Sequence, residues 1–134
     1  MFEVTVESDF AAAHRLRDYE GACERLHGHN YKVAVTVRGE GLGPSGMLAD
    51  FKTIKGALAE VLDRFDHRCL NDDVDEFKEG ALNPTAENIA KVIWERMAER
   101  LGDALPDGAT VARVTVWESD RSAATYFPTS VART

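Results

Sequence analysis

From Phe2 to Glu7 apolar and polar residues alternate, with Phe2, Val4 and Val6 on one side and Glu3, Thr5 and Glu7 on the other. A period of two is that of a half-buried strand. Tyr31 to Arg38 repeats it: Tyr31, Val33, Val35 and Val37 lie against Lys32, Ala34, Thr36 and Arg38. The stretch Gly39 to Gly46, with four glycines and Pro44, reads as a turn or loop. From Phe51 to Phe65 the period lengthens. Phe51, Ile54, Leu58, Val61, Leu62 and Phe65 fall on one face of an amphipathic helix. Asp72 to Asn83 is polar and acidic and reads as a loop. Asn83-Pro84-Thr85 opens a second helix, which Thr85 can cap, and Glu87 suits the positive end of its dipole. Its apolar stripe is Ile89, Val92, Ile93, Met97 and Leu101. After a turn at Pro106-Asp107-Gly108, Thr110 to Glu118 and Ala123 to Phe127 read as two last strands.

The order β-β-α-α-β-β predicts one α+β domain over residues 1–134, an antiparallel four-stranded sheet with both helices on one face. Such a sheet has two open edges, and the chain has few devices that block them. Subunits pairing edge to edge into a closed barrel would remove that exposure, so oligomerisation is expected.

Composition narrows the function classes. The 134 residues are 44% hydrophobic and 29% charged, enough to bury a core without staples. A net charge of −7 argues against a dedicated nucleic-acid binder. No apolar run approaches the roughly 20 residues of a membrane helix, and the N-terminal residues lack the pattern of a secretory signal. Two cysteines, Cys23 and Cys69, are too few for a disulfide scaffold. A soluble, cytoplasmic protein is expected.

Four histidines are present: His14, His27, His29 and His67. In His27-Gly28-His29 the two imidazoles project to one side if the segment is extended. A hairpin between the first two strands would bring His14 beside them. Three neutral imidazoles leave a fourth position open, the arrangement of a catalytic zinc rather than a structural one; surface decoration is the plainer alternative. Cys23 precedes His27 by four residues and could be a fourth ligand, a buried thiol, or a thiolate base acidified by the metal and Arg25. Spacing alone does not choose. Asp66-His67 ends the first helix in this reading, which by itself suggests only His67 and Arg68 set against the negative dipole end. Cys69 reads as a small buried hydrophobe. Glu118, ending the strand Val114-Thr115-Val116-Trp117, is either solvated or placed to grip an amidine-like edge with two parallel hydrogen bonds.

Taken in order, these segments resemble the 6-pyruvoyl-tetrahydropterin synthase family over nearly the whole chain. Phe10-Ala11-Ala12-Ala13-His14-Arg15-Leu16 matches its first zinc-ligand stretch. Cys23-Glu24-Arg25-Leu26-His27-Gly28-His29 matches its C-x-x-x-H-G-H signature. Asp50-Phe51 with Lys55, Asp66-His67-Arg68-Cys69-Leu70-Asn71-Asp72, Asn83-Pro84-Thr85-Ala86-Glu87-Asn88 and Val116-Trp117-Glu118 match further blocks. The resemblance implies the tunnelling fold, in which trimers close twelve-stranded barrels that stack as a homo-hexamer. It implies that His14, His27 and His29 bind Zn²⁺, that Cys23 is the catalytic base, and that Asp66 and His67 complete the proton-transfer set. It also implies that Glu118 anchors a pterin ring, helped by Thr85 and Glu87, in a pocket shared between subunits.

Within the family, the match is strongest to the branch that converts 7,8-dihydroneopterin triphosphate to 6-carboxy-5,6,7,8-tetrahydropterin, acetaldehyde and triphosphate in queuosine biosynthesis. Glu24 next to Cys23 is a departure that bears on the product, since some relatives use a glutamate near this position. The alternatives are elimination of triphosphate to give 6-pyruvoyl-tetrahydropterin, a non-catalytic pterin or purine binder, and a structural zinc protein. Four cations (Arg15, Arg17, Arg25, Lys32) against three carboxylates (Asp18, Glu20, Glu24) make the His14–Lys32 region locally positive despite the acidic whole.

Overall fold

The computed structural model describes residues 1–17 and 25–129. Strands β1 (Phe2–His14) and β2 (His27–Gly39) form a long antiparallel hairpin in unbroken register from Phe2 opposite Gly39 to His14 opposite His27. Helix α1 (Phe51–Asp63) follows, capped by Asp50, whose carboxylate accepts the Lys52 N–H. A two-residue strand, β3 (Arg68–Cys69), leads into a short helix, α2 (Leu70–Asp73), and a 3₁₀ turn at Asp75–Phe77. Helix α3 (Ala86–Leu101) starts at Thr85, whose hydroxyl accepts the Asn88 N–H as the sequence predicts. Strands β4 (Thr110–Ser119) and β5 (Ser122–Tyr126) complete the chain.

The α+β class holds, but the sheet differs from the expected four antiparallel strands. It has five, ordered β3-β1-β2-β4-β5, and it is mixed because β3 runs parallel to β1. The element between the predicted helices is also more than a loop. Leu70, Val74 and Phe77 are fully buried there, turning an acidic stretch into a rim that closes the core. Within the single chain the sheet is open at both edges and does not close into a barrel.

Helices α1 and α3 cover one face of the sheet. Their buried residues, Ile54, Leu58, Val61 and Leu62 from α1 and Ile89, Ala90, Val92, Ile93, Met97 and Leu101 from α3, meet Val6, Phe10, Tyr31, Val33, Val35, Val114 and Val116. Phe10 stacks on Tyr31 with ring centroids 4.8 Å apart and meets Phe65 edge-on. A Cβ at Gly39, where β2 ends, would lie 2.6 Å from the buried Leu48 side chain, which would have to shift to admit it. Among the described residues no helix is long and apolar enough to cross a membrane.

Candidate active site

Pleating settles which side chains meet at the open end of the hairpin. On β1 the buried positions are Val6, Phe10, Ala12 and His14, an even-numbered series facing the helices. Cross-strand partners share a face, so His27 (opposite His14), His29 (opposite Ala12) and Tyr31 (opposite Phe10) join that series. The three imidazoles therefore continue the core beyond its last aromatic layer. One nitrogen from each lies within 4.8 Å of the others. His14 is wholly buried; His27 and His29 are half-buried.

Hydrogen bonds to backbone carbonyls orient two of these rings. His14 Nδ1 lies 2.7 Å from the Pro84 carbonyl, and His27 Nδ1 lies 2.7 Å from the Arg25 carbonyl. A carbonyl only accepts, so both Nδ1 atoms carry a proton, and in the neutral ring Nε2 is the nitrogen left with a lone pair. Those Nε2 atoms are 3.1 Å apart. Two lone pairs at that distance repel unless a cation sits between them. The Nε2 of His29 is buried and has no hydrogen-bond partner. Burial holds the His14 imidazole below its usual pKa, favouring the neutral form that ligates metals. The donor set fits a divalent metal of the zinc type: three imidazole nitrogens, two of them oriented by backbone carbonyls.

Asp66 and His67 lie beyond α1 rather than at its end. The helix stops at Asp63, Arg64 is its C-cap, and the following turn carries His67 at φ +58°. Freed from helical geometry, the two side chains bond to each other, His67 Nδ1 to Asp66 Oδ2 at 2.9 Å. Asp66 Oδ1 accepts the Ala11 N–H at 2.9 Å, and the Ala11 carbonyl accepts the His67 N–H at 2.6 Å. This pair replaces the dipole arrangement that the local sequence suggested. The Ala11 N–H, and then His67, hold the Asp66 carboxyl below its ordinary pKa. The His67 side chain is 82% exposed, free to meet a ligand.

Glu118 follows Val114 and Val116 on β4, at an irregularity in the pairing with β5 between Trp117 and Ser119. Its charge acts on both His14 and Tyr31, in each case behind the larger effect of burial. The Tyr31 hydroxyl is buried without a partner, and its phenol is pushed well up by burial first and by Glu118 second. Thr85 sits one residue past the carbonyl that holds His14, and Glu87 lies exposed in the first turn of α3. Cys23 lies outside the described residues. Cys69 is half-buried, and burial raises its thiol pKa, as suits an unreactive position.

The sequence reading gave Pro84, Tyr31, Asn71 and Asn83 no role of their own in the site. Asn71 and Asn83 stand inside the blocks Leu70-Asn71-Asp72 and Asn83-Pro84-Thr85. Each grips both the N–H and the carbonyl of one residue just beyond His14. Two asparagines flanking a helix–loop–helix region were the available signal, since asparagine carboxamides commonly substitute for backbone partners.

Comparison with known proteins agrees with this geometry. The model of the family described as 6-pyruvoyl tetrahydropterin synthase matches residues 3–129. The chain is 36% identical over 129 residues to the 6-carboxy-5,6,7,8-tetrahydropterin synthase of Bacillus subtilis (strain 168), covering 95% of this chain and 86% of that one. It is 33% identical over 136 residues to the 6-pyruvoyl tetrahydrobiopterin synthase of Poecilia reticulata, covering 92% and 88%. The solved structure of Caenorhabditis elegans 6-pyruvoyl tetrahydropterin synthase superposes with a TM-score of 0.79 at 33% identity, over 96% of this chain and 97% of that one.

Proposed function

The chain belongs to the 6-pyruvoyl tetrahydropterin synthase family and is an enzyme of tetrahydropterin synthesis, and from that premise we propose that it converts 7,8-dihydroneopterin triphosphate and one water to 6-carboxy-5,6,7,8-tetrahydropterin, acetaldehyde and triphosphate. The observation that carries the proposal is the convergence of three imidazoles whose nitrogens lie within 4.8 Å of one another, two of their Nε2 atoms 3.1 Å apart. Likeness to the Bacillus subtilis enzyme supports the 6-carboxy product.

His14, His27 and His29 would hold zinc, leaving a fourth position for substrate. Zinc, when bound, supplies Lewis-acid polarisation of the substrate's side-chain hydroxyls. Cys23 as thiolate takes the proton from C1′ of the side chain. His67 delivers or accepts the complementary proton, with Asp66 fixing its Nδ1–H and so presenting Nε2 outward. Glu118 accepts two hydrogen bonds from the N–C–N edge of the pterin, which fixes the ring against the proton-transfer groups. Thr85 and Glu87, at the start of α3, assist that grip. The ring is reduced by internal tautomerisation, so no redox cofactor enters.

His67 is so exposed that a single chain does not enclose a substrate. A homo-hexamer of two stacked trimers, closing barrels through the open sheet edges and sharing each pocket between subunits, completes the reading, as does a cytoplasmic location. Likeness to the Poecilia reticulata protein favours a second reading, in which the side chain is retained and the product is 6-pyruvoyl-tetrahydropterin. Mass-spectrometric identification of the product separates the two.

A further inference from the structure

His14 is the last residue of β1, and the chain just beyond it is held by side chains rather than by a neighbouring strand. The Arg15 N–H donates to Asn71 Oδ1 at 2.9 Å, and Asn71 Nδ2 donates to the Arg15 carbonyl at 3.0 Å. Two residues on, the Arg17 N–H donates to Asn83 Oδ1 and Asn83 Nδ2 donates to the Arg17 carbonyl, both at 2.8 Å. A carboxamide presents the same acceptor and donor as a peptide group. The two asparagines therefore stand in for a paired backbone. They continue an edge that starts at Ala11, where Asp66 and the His67 N–H do the same work, and runs through the pairing of Ala12 and Ala13 with β3. The Arg17 guanidinium anchors this segment further by donating to the carbonyls of Phe77 and Leu82 at 2.9 and 2.6 Å.

Asn83 has a second connection. The next residue, Pro84, supplies the carbonyl that fixes the His14 tautomer. The Asn83 carbonyl in turn accepts from the Thr85 N–H at 2.8 Å and from Asn88 Nδ2 at 2.9 Å, so residues 83–85 are locked to the first turn of α3. One side chain thus ties the chain leaving His14 to the carbonyl that orients its ring. We propose that Asn83, seconded by Asn71, is a positioning residue for His14, setting both the direction of its backbone and the carbonyl that holds its Nδ1–H and so aims its Nε2. The inference rests on the reading of the three histidines as a metal site.

The test is zinc affinity, measured by competition with a chromophoric chelator on the full chain, together with the visible spectrum of the cobalt(II)-loaded protein. Outer partners of a metal-ligating histidine typically contribute 10–100-fold to affinity. Asn83→Ala is expected to bind zinc at least about tenfold more weakly and to shift the cobalt bands. Asn83→Asp, which keeps the acceptor for Arg17 but loses the donor, is expected to fall between Asn83→Ala and wild type; it carries the test if Asn83→Ala does not fold. Trp94→Phe is the control. It removes a 2.9 Å hydrogen bond from α3 to the Val111 carbonyl, remote from His14, and should leave affinity and spectrum unchanged. Wild-type affinity and an unshifted spectrum in a folded Asn83 variant would overturn the assignment, as would an equal loss in Trp94→Phe. Wild-type protein that binds no zinc would instead overturn the metal reading itself.

Discussion

Removing His29 tests the metal centre from both of its states. In the metal-free protein the His29 Nε2 is buried without a partner, and the His14 and His27 Nε2 atoms face each other at 3.1 Å. An unsatisfied buried polar atom costs about 1–3 kcal/mol, so His29→Ala relieves roughly what it loses in packing. Metal-free His29→Ala should unfold within about 4 °C of metal-free wild type, the shift that about 1 kcal/mol produces in a chain of this length. Zinc should then separate the two. At a free zinc concentration of about one hundred times the dissociation constant, binding stabilises the wild type by about 2.7 kcal/mol. That is a rise in midpoint of about 10 °C. If the variant binds a hundredfold more weakly, the same zinc gives it about 0.4 kcal/mol, about 2 °C. The assay is thermal unfolding of chelator-stripped protein with and without zinc. An equal zinc-dependent rise in wild type and His29→Ala would refute the reasoning, as would a metal-free variant far less stable than wild type.

Three further outcomes are expected. Glu118→Gln keeps the shape but loses the charge that strengthens both hydrogen bonds to the pterin edge, so kcat/KM should fall by about 10²–10³ while zinc affinity is retained; unchanged kcat/KM in steady-state assays counts against the anchor. Asp66→Asn should lower kcat by about 10–100-fold, the lower range for a positioned proton-transfer group because His67 faces solvent. Asp66→Ala should match it in kcat but unfold at lower denaturant, having also lost the acceptor for the Ala11 N–H; equal stability of the two variants would contradict that contact. Away from the site, Glu3 bonds Arg38 and Arg113 at 2.7–2.9 Å, and those guanidiniums, Arg113 first, bring its carboxyl down to about 2. A depressed carboxylate stabilises the fold above its unfolded pKa and loses that effect as pH falls from about 4.5 to about 2. After solvent screening, Glu3→Gln should cost about 1 kcal/mol at pH 7 and much less near pH 2 in urea titrations; a pH-independent difference would exclude the ion pairs as its source.

The parts of this protein legible in its sequence were those written in local periodicity. Val33, Val35 and Val37 marked β2, Ile54 to Leu62 marked α1, and Thr85 marked the start of α3. The second half of β1 was only faintly legible, because Ser8 breaks the alternation and Ala11-Ala12-Ala13 has none. It is a strand because β2 pairs with all of it. No pattern can announce a two-residue strand such as β3, which exists through its parallel contact with Ala12 and Ala13. Val74 and Phe77, three apart among acidic residues, were the only trace of the buried rim.

The metal site followed the same division. The spacing of His27 and His29, with a hairpin to return His14, gave the three candidate ligands, and the structure brings them together. The carbonyls of Pro84 and Arg25 that orient them, and the asparagines that hold the chain beyond His14, come from tertiary contact. Asp66 and His67 were misplaced by assuming that α1 reached them. The helix ends at Asp63, and that is what lets the two side chains bond.

The most direct measurement is the product. Zinc-loaded protein would be incubated with 7,8-dihydroneopterin triphosphate without oxygen, and the mixture resolved by mass spectrometry. The account predicts 6-carboxytetrahydropterin with one equivalent of acetaldehyde. Finding 6-pyruvoyl-tetrahydropterin and no acetaldehyde, or unchanged substrate with zinc confirmed bound, would contradict it.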